Sequence, residues 1–89
     1  MTQNNTPIDV ICVCSAEGEM KPLRFQLEDD RHEKIRVNVD EVISIKEIPY
    51  VGVEAKIYLC RGMVKGVQRL FELKYSLRTQ CWRLFQEII

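Results

Sequence analysis

Histidine, glycine and proline are scarce in this 89-residue chain, which holds one histidine, four glycines and three prolines, and no net charge. Each scarcity excludes something. With His32 alone, imidazole acid–base chemistry would depend on one residue in the charged stretch 29–33, DDRHE, where it reads as a solvated surface group. No glycine-rich phosphate loop is present, because Gly62-Met63-Val64-Lys65-Gly66 lacks both the following helix and the Lys-Ser/Thr ending. Ser15, Ser44 and Ser76 lie in no nucleophile elbow. The paired carboxylates of 28–30 and 40–41 sit as neighbours in similar wet surroundings, which is not how two carboxylates divide acid and base roles. A non-enzymatic protein without cofactor is therefore expected.

Long apolar runs are absent as well. Nothing approaches the ~20 residues of a membrane-spanning helix, and the polar start MTQNNTP has no basic segment leading into an apolar one. A cytoplasmic protein that does not engage a membrane is the expectation. In that reducing setting Cys12, Cys14, Cys60 and Cys81 act as small core hydrophobes. Their spacing shows no paired zinc knuckle, so no metal site is expected.

What is present is a composition with 46% apolar and 29% charged residues, that of an ordinary globular domain. A chain of this mass buries roughly 64% of its unfolded surface, enough for one modest core. Residues 1–50 hold six lysines and arginines against ten acids; residues 51–89 hold seven against three. Acidic and basic strands lying side by side would neutralise that asymmetry.

The hydrophobic pattern has period two. After a tail over 1–7, expected to be disordered, IDVICVC is apolar on both faces, as a strand covered on both sides would be. SAEG turns the chain. KPLRFQLE alternates, with Leu23, Phe25 and Leu27 on one side. Beyond the charged tip, Ile35, Val37, Val39, Ile43 and Ile45 share odd numbers, but Glu41 and Val42 break the parity, which places a bulge near Asp40–Glu41. PYVG is a turn, and VEAKIYLC reads with Val53, Ala55, Ile57 and Leu59 inward and Tyr58 and Cys60 outward. Arg61 to Gly66 then reads as a connection. Residues 67–89 fit either a helix with an interrupted stripe or a hairpin. The aromatics and the polar break SLRTQ favour the hairpin, with Tyr75 opposite Trp82 and Leu73 opposite Leu84. The result is an all-β fold: a small, partly open antiparallel barrel, an SH3-like meander of five to six strands over 8–89 with no long helix.

The segments VICV, EGEMKPLRF and RLFELKY…CWRLF resemble a family of small uncharacterised bacterial β-barrel domains with a strand near V-x-D-x-x-G-x-P-x-x-F and a closing YELKY–turn–W-x-L hairpin. The likeness spans Ile8 to Phe85 and rests on structural residues. It implies a barrel, no known activity, and a link to nucleic acid, since such domains accompany translesion DNA polymerases. Gln80 stands where those sequences often carry glycine in the last turn.

Two surfaces are candidates for function. Unburied apolar residues Tyr58, Leu70 and Ile88 suggest a protein contact, either a homodimer or a partner adding to an edge strand. On the outer face of the final hairpin, Lys74 should oppose Arg83 and Glu72 oppose Phe85, with Arg78 in the turn. Lys74, Arg78, Arg83 and Phe85 would give a cationic, aromatic end for nucleic acid or another anion.

Overall fold

The computed structural model describes residues 6–28, 30–49 and 53–88. Residues 1–5 of the tail expected over 1–7, Tyr50 to Gly52 of the PYVG turn, Asp29 and Ile89 lie outside the described residues. Seven antiparallel strands form a curled half-barrel: β1 (Thr6–Pro7), β2 (Val10–Cys14), β3 (Met20–Glu28), β4 (Lys34–Pro49), β5 (Val53–Val64), β6 (Val67–Ser76) and β7 (Cys81–Glu87). They follow one another as a meander in the order β1-β7-β6-β5-β4-β3-β2. The C-terminal segment is the hairpin, and among the described residues no helix is long and apolar enough to cross a membrane.

The seventh strand comes from residues expected to fray. Thr6 and Pro7 pair with Leu84 and Arg83 of β7. Consecutive β1 and β2 therefore sit at opposite edges of the sheet, joined only by Ile8 and Asp9. The Ile8 amide donates to the Trp82 carbonyl at 3.3 Å, and the Gln26 amide donates to the Asp9 carbonyl at 3.2 Å. One short stretch of chain thus ties β7 to β3 and holds the sheet curled, which limits the exposed sheet edge.

Turn chemistry sets the register. Ser15 Oγ accepts from the amides of Glu17 and Glu19 at 3.2 and 3.0 Å, and Gly18 takes φ +89°. The connection between β5 and β6 is shorter than expected: only Lys65 and Gly66 turn, both at positive φ, in the primed geometry that matches strand twist. Gly62 is no turn residue. It lies within β5, where an added Cβ would meet the Asn38 carbonyl and Val37 Cγ1 at 2.8 Å. A glycine is needed there because β4 and β5 close on each other at the curl.

β4 carries the expected bulge between Val39 and Glu41, and the register shifts again between Val42 and Ser44. The first shift turns Val42 inward, onto the core. After the second, Ile45 lies opposite Tyr58 but beyond the curl, 53% exposed.

The inward and outward faces of β5 are reversed from expectation. Tyr58 and Cys60 are core residues, 1% and 0% exposed, so Tyr58 is no surface contact. With Val64 opposite Val67, every inward odd residue of β6 must face an even residue of β5: Leu73 meets Tyr58, and Phe71 meets Cys60. Ala55 and Ile57 are buried too, on the other face. A central strand apolar on both faces does not reveal by alternation alone which face meets the core. Around Tyr58 the core is aromatic: its ring lies 5.2 Å from Trp82, Tyr75 lies 5.0 Å from Trp82, and Phe25 packs edge-on to Phe71 at 5.2 Å.

Candidate interaction surfaces

The final hairpin brings three of the four expected anion-contact residues to one face. Lys74 opposes Arg83, as the alternation predicts. Glu72 does not oppose Phe85, however. The register shifts between Glu72 and Leu73, so Glu72 faces Gln86, which donates to it from Nε2 at 2.6 Å. Phe85 occupies the bulge, and the Lys74 ammonium lies 5.7 Å from its ring centre. That cation covers a ring face that a base would need for stacking. Arg78 is engaged otherwise, its Nη2 lying 3.5 Å from Glu54 Oε1. Register adds a cation that the sequence reading missed. Lys46 opposes Ile57, Ile57 opposes Lys74, and Lys74 opposes Arg83, giving a cross-strand row with three positive residues. Lys46 is 28 positions from Lys74 in the chain, and only the pairing of both strands with β5 aligns them.

Of the expected protein contacts, Leu70 and Ile88 are brought together. The Ile88 amide donates to the Leu70 carbonyl at 2.8 Å; Leu70 is half-buried opposite Arg61, and Ile88 is exposed. Tyr58 is not among them.

A larger apolar surface lies at the other end of the sheet. Among the described residues β2 pairs only with β3, and its second edge presents backbone donors and acceptors that no described strand takes up. Val10 and Cys12 turn inward with Phe25 and pack on the core, which leaves Ile11 and Val13 outward at 57% and 48% exposure. Leu23, at the register shift opposite Ile11/Cys12, is 43% exposed beside them. The strand that reads as covered on both faces is covered on one. On the same outward face Arg24 opposes Ile11, Lys21 opposes Val13, and Arg36 opposes Gln26 on β3.

An open cleft of about 780 Å³ separates the β1–β7 edge from the β3–β4 hairpin, with Asp9, Glu28, His32 and Glu87 on its walls. His32 Nδ1 lies 3.2 Å from Glu28 Oε1, both well exposed, and Arg69 holds Glu87 at 3.0 Å. An exposed pair of this kind contributes little. Among the described residues no group of three or more His, Cys, Asp or Glu side chains converges as metal ligands would. All four cysteines are unpaired, Cys14 and Cys81 at the surface. Burial pushes the Cys60 thiol up to about 12 and also raises the Tyr58 hydroxyl, with Cys12, Tyr75, Cys60 and Cys14 adding to the latter.

Comparison with protein-family models, with curated proteins and with solved structures finds no match in any of the three.

Proposed function

We propose that this domain is a non-enzymatic protein-interaction module whose docking element is the open edge of β2. The observation that carries the reading is the juxtaposition of a free strand edge with the exposed aliphatics Ile11, Val13 and Leu23. Main-chain groups supply affinity to an added strand, and alternate side chains supply its specificity. Four free thiols, two of them exposed, suit a reducing cytoplasm. Gln80 at φ +58°, where the resembled bacterial domains carry glycine, supports that kinship. A photoreactive side chain at Val13, compared with one at Gln68 on β6, tests the reading in cells of the source organism. A discrete adduct from position 13 alone is expected; equal labelling from both positions, or none from position 13, would remove it.

The row of Lys46, Lys74 and Arg83 favours a second reading, single-stranded nucleic-acid binding on the outer face of β4–β7. It requires salt-sensitive binding that Lys74→Glu with Arg83→Glu weakens. Fluorescence anisotropy with a labelled oligonucleotide at low salt would dismiss it by showing no binding or an unaffected double variant.

A further inference from the structure

The outward face of β2–β3–β4 carries positive charge that no described residue answers with an ion pair. Four ion pairs join described residues, and Lys21, Arg24 and Arg36 belong to none of them. Arg24 and Arg36 line a small groove of about 210 Å³ with Ile11 and Gln26, and Asp9 stands at its rim without reaching ion-pair distance of either. This cationic face belongs to the half of the sequence whose net charge is negative. Pairing with β3 and β4 gathers the positive groups there, beside the free strand edge.

Three occupants could satisfy that edge, and charge separates them. Two copies pairing antiparallel through β2 about Cys12 would set Ile11 against Val13 of the second copy. The resulting row reads Arg24, Ile11, Val13, Lys21, with cations at both ends and no acid between. A second copy would therefore cover the aliphatics but leave these cations without carboxylates. A single-stranded nucleic acid would satisfy the cations, but it has no backbone amides to continue the sheet and would leave Ile11 and Val13 against a polar chain. An extended peptide with aliphatic and acidic side chains meets all three demands. It pairs its main chain with the edge, covers the aliphatics, and presents carboxylates to Lys21 and Arg24 of β3, whose arms are long enough to reach over β2.

We infer that β2 takes up an extended acidic, aliphatic segment of a partner protein as an added strand, an inference that rests on the edge-docking reading above. The probe is the seven-residue peptide Glu-Thr-Val-Thr-Val-Thr-Glu, whose glutamates and valines share one face of an extended strand, with the lysine-for-glutamate peptide as its counterpart. Each is titrated into the full ¹⁵N-labelled chain. The β2 amides should shift and gain exchange protection with the glutamate peptide, which should bind roughly tenfold more tightly than the lysine peptide. Lys21→Glu with Arg24→Glu should reverse that preference while leaving Tm nearly unchanged, since both side chains are outward-facing. Ile11→Ser with Val13→Ser, also at exposed positions and leaving the charge unchanged, should weaken uptake of the glutamate peptide by removing the aliphatic contact. Equal binding of both peptides would overturn the charge assignment and leave edge docking standing. No response at β2 to either peptide would overturn edge docking itself. Protection of β2 that grows with protein concentration alone would assign the edge to a second copy. The same amides responding to a single-stranded oligonucleotide would assign it to nucleic acid.

Discussion

The two ends of this sheet are built to opposite specifications. From β5 to β6 the register runs without a break from Ala55↔Ser76 to Val64↔Val67, and eight of the ten buried apolar residues lie on β5, β6 and β7. At the other end β2 is five residues long, shifts register against β3, and holds exposed aliphatics on its outward face. One end places its apolar area inside the molecule; the other leaves it available. The two ends therefore differ in local stability, the β2 end having fewer buried apolar contacts.

The largest expected contrast comes from truncating one residue at each end. Phe71→Ala, in the fully buried core, should cost about 3–5 kcal/mol in urea unfolding, whereas Ile11→Ala should change stability by less than about 0.5 kcal/mol. Comparable losses at both positions would mean that β2 is held by more than its contacts with β3. Gly62→Ala comes next. Its new methyl would press into the Asn38 carbonyl and Val37, and about 1–3 kcal/mol of destabilisation is expected.

Alkaline pH should weaken the well-packed end selectively. Because burial raises the Cys60 thiol from 9.0 to about 12, the folded state keeps a proton that the unfolded state releases. The stabilising contribution is complete below pH 9 and is lost as pH rises toward 12, at up to about 1.4 kcal/mol per pH unit. Cys60→Ala should flatten that slope in unfolding measured across the window, leaving the contribution of Tyr58, whose hydroxyl burial also raises. The smallest effect is a gain. Gln80 holds a left-handed conformation that glycine adopts without a side-chain penalty, so Gln80→Gly should raise stability by about 0.5–1 kcal/mol, visible as a higher Tm.

The contrast between the ends also decides how much could be read from the sequence. The final hairpin was legible down to the pairs Tyr75↔Trp82 and Leu73↔Leu84, since large aromatic and aliphatic residues alternate there with charges. The shift that moves Phe85 out of register with Glu72 was not, because a bulge inserts one residue without altering composition. In β4 the bulge was legible, as Glu41 and Val42 break parity in view. In β5 the face was misread although the means to settle it were present: a two-residue Lys65-Gly66 turn ties the parity of β5 to that of β6 and forces Tyr58 inward. The candidate surfaces fared less well. Lys74, Arg83, Leu70 and Ile88 are local neighbours across one hairpin and could be paired on paper. Lys46 joins Lys74, and Arg36 joins Arg24, only through strands that lie between or beside them in space.

What the chain decides by itself is pleating, turn placement and class, because these depend on neighbours one to four residues apart: period-two hydrophobicity, the Ser15 and Gly18 turn, and the primed Lys65-Gly66 turn. What the tertiary structure decides is which alternation faces the core, where the sheet curls, and which charges meet. Those depend on pairing between strands far apart in sequence, and on Ile8 and Asp9 tying the two edges together. The exposed face of β2 is the clearest case. Its apolar residues read as core, and only the curl of the half-barrel leaves Ile11 and Val13 facing water.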